Sequence, residues 1–359
     1  MSRRVPDAGV SRAAEGRGVL AGLSPASFGI VMATGIVSLA CASMGLPRVG
    51  RGLFALNVLL YAAVWGLSLA RLLRHPRRMR HDACDHARAP GFFTAVAATG
   101  VLGEQCLLLS DARGPAAWLL AVALVLWVAL NYGIFAALMV SRDKPRLEKG
   151  LGGGWLLAVV ATQSVVGLGT LLAPSLDAAW QEWLATTLLA LWLWGGVLYA
   201  LLMPLIFYRI VFLPLSATDL APPYWINMGA LAISTLAGTL LLQQAPAWPP
   251  VQALRPFVQG LTLLFWAGGS WWIPLLLVLG VWRHLLQRHP LRYESLYWAM
   301  VFPLGMYAMA THRLGLVLEQ AWLQPLAQAF MWVSLGAWVL AGLGLAGATG
   351  RALRKRARR

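Results

Sequence analysis

Residues 115–140 read PAAWLLAVALVLWVALNYGIFAALMV, 26 consecutive positions without a charged side chain. About 20 apolar residues in a helix cross the roughly 30 Å hydrocarbon layer of a bilayer. A soluble helix of this length would carry a polar stripe along one side. Working outward from this run, nine more of the same character follow, so that ten are expected at about 25–45, 52–73, 91–109, 115–140, 153–173, 183–213, 225–243, 256–282, 295–311 and 325–348. The composition agrees. Of 359 residues, 59% are hydrophobic and 12% charged, and mean hydropathy is +0.67. A soluble domain carries about 25% charged residues, so a soluble enzyme, a disulfide scaffold and a disordered chain are excluded. Cys41, Cys84 and Cys106 are too scattered to frame disulfides. Helices satisfy their own backbone polar groups in lipid, and no ten-residue alternating segments point to a barrel. The expected fold is an all-α integral membrane protein of ten transmembrane helices. The sixth is long enough to leave the bilayer or to kink at Pro204.

The charges set the orientation. The net charge of +16 comes from 29 Lys and Arg against 13 Asp and Glu. Placed in a soluble domain, such an excess would suggest nucleic acid, but here the basic residues lie between the apolar runs and at the termini. With the N-terminus inside, segments 1–24, 74–90, 141–150, 214–224, 283–294 and 351–359 hold 22 of the 29. The outer loops hold five (Arg48, Arg51, Arg113, Arg255 and Arg313), and Arg71 and Arg209 stand at span ends. Basic loops stay on the cytoplasmic side, so both termini are expected in the cytoplasm of a cell (inner) membrane protein. A basic head followed by Ala40-Cys41-Ala42 imitates a cleaved signal. The 24-residue head and the Thr34-Gly35 interruption favour a retained first helix. The chain divides into a basic segment 1–24, a ten-helix pore domain 25–348 and a basic tail 349–359.

The odd-numbered spans begin near 25, 91, 153, 225 and 295, so a helical hairpin of roughly 67 residues recurs five times. Odd spans are rich in Gly, Ala, Ser and Thr, whereas even spans carry most of the tryptophans, among them Trp65, Trp127, Trp192, Trp266 and Trp338. Small residues permit close helix approach and bulky ones suit lipid. The expected architecture therefore has odd helices inside around a central pore and even helices outside, with pseudo-fivefold symmetry. At mid-depth stand Thr34, Thr99, Thr162, Gln163, Ser164, Ser234 and Thr235, either lining that axis or serving helix packing. One intramembrane acid, Glu104, is a candidate for proton coupling. Loop residues His75, His81, Cys84 and His86, with Asp82 and Asp85, match no closed metal site, and neither a metal nor any other cofactor is expected. No loop carries a phosphate-binding lysine motif, so ATP-driven transport and catalysis are not expected.

Three stretches carry a resemblance: SFGIVMATGIVSLA (27–40), PGFFTAVAATGVLGEQ (90–105) and YWAMVFPLGMYAMAT (297–311). They are similar to the tellurite-resistance/dicarboxylate transporter family, which includes malate carriers, sulfite efflux pumps and the plant guard-cell slow anion channels. The resemblance implies five hairpins around a pore, assembly as a homotrimer, and passage of small anions. It also implies that Phe302, before Pro303, obstructs the pore. Proline removes an N–H and favours a kink, and Gly305 is expected to leave room beside the ring. The expected function is transport of a C4-dicarboxylate, sulfite, nitrate, chloride or tellurite-like oxyanion through a hydroxyl-lined pore, as a channel or uniporter. The alternatives are a proton-coupled exporter of a weak-acid anion and a membrane scaffold or sensor without flux.

Overall fold

The computed structural model describes residues 20–290 and 293–357. Residues 1–19 of the basic N-terminal segment, Arg292 and the last two residues of the tail lie outside them. The described residues form helices and no strand. The long helices are α1 (Gly29–Ser43), α2 (Pro47–Arg74), α3 (Phe93–Ser110), α4 (Arg113–Val140), α5 (Leu157–Leu172), α6 (Ala178–Phe212), α7 (Ile226–Gln244), α8 (Arg255–Val281), α9 (Trp298–Val317) and α10 (Leu323–Ala357). Pro204 lies within α6, which continues past it as one helix to Phe212. The α1–α2 turn is tight. Gly45 adopts φ +98°, and the Leu46 N–H reaches back to the Cys41 carbonyl, a left-handed helix end that favours glycine.

Nine helices among the described residues are long and apolar enough to cross a membrane. The exception is α9, where His312 and Arg313 lower the hydropathy of a helix otherwise buried from Val301 to Gly315. The apolar run was expected to end at residue 311; the helix continues to Val317. Helix formation depends on the backbone, so it continues through residues whose side chains lower the hydropathy. The same reason places the other outer arginines inside helices: Arg48 and Arg51 in the first turns of α2, and Arg113 and Arg255 at the starts of α4 and α8.

Burial separates two layers. The most apolar windows of the segments containing α1, α3, α5 and α7 are 72, 78, 94 and 94% buried, against 17–39% for those of α2, α4, α6, α8 and α10. The buried helices touch in a closed order: α1 on α3, α3 on α5, α5 on α7, α7 on α9, and α9 on α1. Each surface helix packs on the buried helix before it in the chain: α2 on α1, α4 on α3, α6 on α5, α8 on α7 and α10 on α9. Hydrophobicity cannot drive helices together in lipid, so close packing at small residues must. A Cβ added at Gly229 of α7 would stand 2.7 Å from Pro303 Cγ of α9. One added at Gly305 would stand 3.0 Å from Ile36 Cγ2 of α1.

Candidate pore and its vestibule

Each buried helix is entered through a short 3₁₀ turn: Pro25–Phe28, Ala89–Phe92, Gly153–Leu156, Pro222–Trp225 and Ser295–Tyr297. Proline at the first or second position of three of these turns fixes φ where an N–H has no partner in any case. The turns pack on one another in sequence. A cavity of about 340 Å³ opens between them, bordered by Ala26, Gly91, Gly154, Pro223 and Ser295, one residue from each turn. Five helix N-termini thus surround one space. The macrodipoles of such ends favour anions. Met32 and Phe302 border the cavity deepest along their helices, and Phe302 is 2% exposed. Trp298, one turn earlier, borders the same space and donates its indole N–H to the Tyr293 hydroxyl.

Counting from the first residue of each buried helix gives a register that composition hides. Position five is Ala33 in α1, Ala97 in α3, Ala161 in α5, Ala230 in α7 and Phe302 in α9. All five are buried. Four methyl groups and one ring therefore share a level one turn inside the vestibule.

The mid-depth polar residues are committed elsewhere. The Thr34 hydroxyl accepts the indole N–H of Trp338 from α10 at 2.9 Å, and the Thr162 hydroxyl accepts that of Trp127 from α4 at 2.9 Å. Thr99 shares a 2.9 Å hydrogen bond with the Tyr61 hydroxyl of α2. Gln163 donates to the Trp192 carbonyl of α6. Ser164 bonds back to the Ala161 carbonyl at the α3–α5 contact, where a Cβ on Gly100 would stand 2.9 Å from its own Cβ. Ser234 and Thr235 bond to the carbonyls of Ala230 and Leu231 in their own helix. Each of these groups therefore has a partner in the helix bundle. Indole and phenol donors buried in a bilayer need acceptors, and the threonines supply them. Gly305 lets α9 approach α1, with Ile36 and Val37 against the position its Cβ would take. Tyr61, Trp127 and Trp338 were missed as partners, since pairs far apart in sequence leave no local signal.

Glu104 is buried at 4% exposure. Its carboxylate lies against Gly167 of α5, where an added Cβ would stand 2.5 Å from Oε1 and 3.8 Å from Leu240 of α7. Among the loop residues, Asp82 is claimed by two arginines, Arg71 at 2.6 Å and Arg88 at 2.7 Å. That triad ties the 74–90 loop to α2, and Arg88 borders the vestibule.

A ring of buried helices jacketed by apolar ones, with a cavity framed by the turns that enter them, is the architecture of a polytopic membrane protein. Residues 22–346 match the voltage-dependent anion channel family SLAC1, and the chain belongs to that family. Its members transport anions and are channels and transporters rather than enzymes, which bears out the resemblance read from three helices. An uncharacterized membrane protein of Mycobacterium tuberculosis is 40% identical over 143 residues, covering 40% of this chain and 72% of the relative. An uncharacterized transporter of Methanocaldococcus jannaschii is 25% identical over 79% of this chain and 82% of its own. A sulfite efflux pump of Trichophyton rubrum is 25% identical over 88% of each.

Proposed function

We propose that this protein carries small anions across the cell (inner) membrane through the centre of five helical hairpins related by pseudo-fivefold symmetry, with Phe302 obstructing the path. In this reading α9 is the tenth span, both termini are cytoplasmic, and the vestibule is the cytoplasmic mouth. Segments 1–24 and 349–359 flank the pore domain on that side. The carrying observation is the position of Phe302: a buried ring at the inner limit of a cavity framed by all five helix entrances. Five helix N-termini favour an anion there. Arg88 stands at the border of the vestibule. The sulfite pump relative supports a small oxyanion as cargo, and the family resemblance supports a homotrimer.

The test is flux in proteoliposomes across sulfite, nitrate, chloride and malate. The wild type is expected to pass at least one of them slowly and Phe302→Ala to pass the same anion severalfold faster. A normally folded Phe302→Ala protein no faster than wild type removes the obstruction. A second reading, export of a weak-acid anion coupled to protons, draws on the burial of Glu104 within the helix ring. Under it, an imposed pH gradient drives uptake in wild type and fails to do so in Glu104→Gln.

A further inference from the structure

We propose that Arg88 is the anion-binding group of the vestibule, oriented by Asp82 and left with surplus positive charge by Arg71, and that it prefers oxyanions accepting two hydrogen bonds from one guanidinium. Its role in flux rests on the transport reading above; the site itself rests on separate observations.

Among the described residues that border the vestibule, Arg88 has the one charged side chain. The others are apolar, hydroxyl-bearing or glycine, and none is acidic. In a cavity of about 340 Å³ a single guanidinium then sets the sign of the charge that an entering ion meets. Arg88 stands immediately before the Ala89–Phe92 turn, and its side chain is 43% exposed. Asp85 fixes its backbone, accepting the N–H groups of Ala87 and Arg88 on Oδ1 at 2.8 and 3.0 Å. Asp82 fixes its side chain: Nε stands 2.7 Å from Oδ1, and Nη2 donates to Oδ2 at 3.1 Å. Two parallel bonds of this kind hold a guanidinium in one orientation.

That clamp uses two of five donors. The edge made by Nη1 and the second N–H of Nη2 is left over, and no described residue accepts from it. A planar fork of parallel donors matches the two oxygens of an oxyanion better than a spherical halide. A carboxylate facing Arg88 alone would cancel its charge. Asp82 is shared, however, with Arg71, whose Nη2 stands 2.6 Å from Oδ2 and whose side chain is 3% exposed. One carboxylate between two guanidiniums leaves a positive surplus, and Arg88 is the member of the triad that reaches the vestibule. Asp85 borders a different pocket, with His81 and Lys149.

The site is tested apart from flux, through the charge preference of a reagent entering the vestibule. Ser295→Cys places a thiol at its border. Cys84→Ser removes the exposed native thiol, and Cys41 and Cys106 are buried. The protein in detergent reacts with a sulfonate-bearing or a trimethylammonium-bearing methanethiosulfonate, and the ratio of the two rates cancels differences in thiol reactivity. The ratio is expected to favour the sulfonate, and Arg88→Gln to lower it severalfold. Arg71→Gln is expected to lower it too, although Arg71 does not border the cavity, because Asp82 then cancels Arg88. Sodium nitrate is expected to slow the sulfonate reagent more than sodium chloride does at equal ionic strength. Arg88→Lys, which keeps the charge and loses the fork, is expected to keep the ratio and lose that difference. Should Arg71→Gln fail to fold, the two Arg88 variants decide alone. An unchanged ratio in Arg88→Gln, or a wild-type nitrate preference in Arg88→Lys, overturns the proposal. A protein that shows the expected ratios but passes no anion in vesicles overturns the transport reading and leaves the site standing.

Discussion

Phe302 is the one large side chain at a level where the other four buried helices place alanine, and the asymmetry is informative. In the reading proposed above, one ring among four methyl groups fills the centre of the path. If the five positions are equivalent, Ala97→Leu in a Phe302→Ala background is expected to reduce the enlarged anion flux again. Unchanged flux in the folded double variant would show that residue 97 faces away from the path. Thr162 makes the opposite case. Its hydroxyl accepts the Trp127 indole N–H, so Thr162→Val strands a buried donor at a cost of about 1–3 kcal/mol. A lower melting temperature with unaltered anion selectivity is the expected result, and altered selectivity would return Thr162 to the pore wall.

At the scale of elements, α9 is held by close contacts that glycine makes possible. Gly229 lets the Pro303 ring approach α7, and a fused pyrrolidine cannot swing aside as a flexible chain can. Gly229→Leu is expected to cost about 1–3 kcal/mol by overpacking and to displace α9 with its ring. Melting temperature and flux are expected to change together, and a neutral substitution would argue against the tight α7–α9 seam. The loop after α6 is anchored differently. Arg209 donates to the Glu148 carbonyl and the Tyr224 hydroxyl, and it pairs with Asp219 at 3.4 Å. Burial pushes the Asp219 carboxyl up, but hydrogen bonds from Ser216 and the Arg209 charge outweigh it and hold it below the ordinary 3.8. A depressed carboxyl stabilises the fold above its unfolded value, and that contribution is lost as pH falls through the folded one. Acidification below 3.8 is expected to lower the amide-exchange protection factors of residues 213–221, measured against the intrinsic rate at each pH. Asp219→Asn is expected to show raised exchange already at neutral pH and little further change on acidification.

For the whole molecule, 22 basic residues on one side against five on the other predict both termini in the cytoplasm. Reporter fusions after Arg80 and Lys149 are expected to read cytoplasmic, and those after Asp177 and Gln320 external. A cytoplasmic reading at Gln320 would remove α9 from the count of spans. The mass of the detergent-solubilised particle tests the trimer, which rests on family resemblance alone.

Nine apolar runs were legible because a bilayer imposes length and apolarity on every crossing, residue by residue along the chain. The Phe302-Pro303 pair was legible too, as a local motif. What a side chain faces is set by neighbours distant in sequence, and here tertiary structure decided. Thr34 meets Trp338 across most of the chain, so composition could say that the hydroxyls lie at mid-depth but not that aromatic donors claim them. By hydropathy Arg313 reads as loop, because hydropathy measures transfer into lipid, whereas the helix continues through it to Val317. The alanine register emerged only when the helix starts were fixed, since a one-residue error turns a helical position by about 100°. The sequence determined how many segments seek the membrane; the packing of one helix on another decided which side chains meet at its centre.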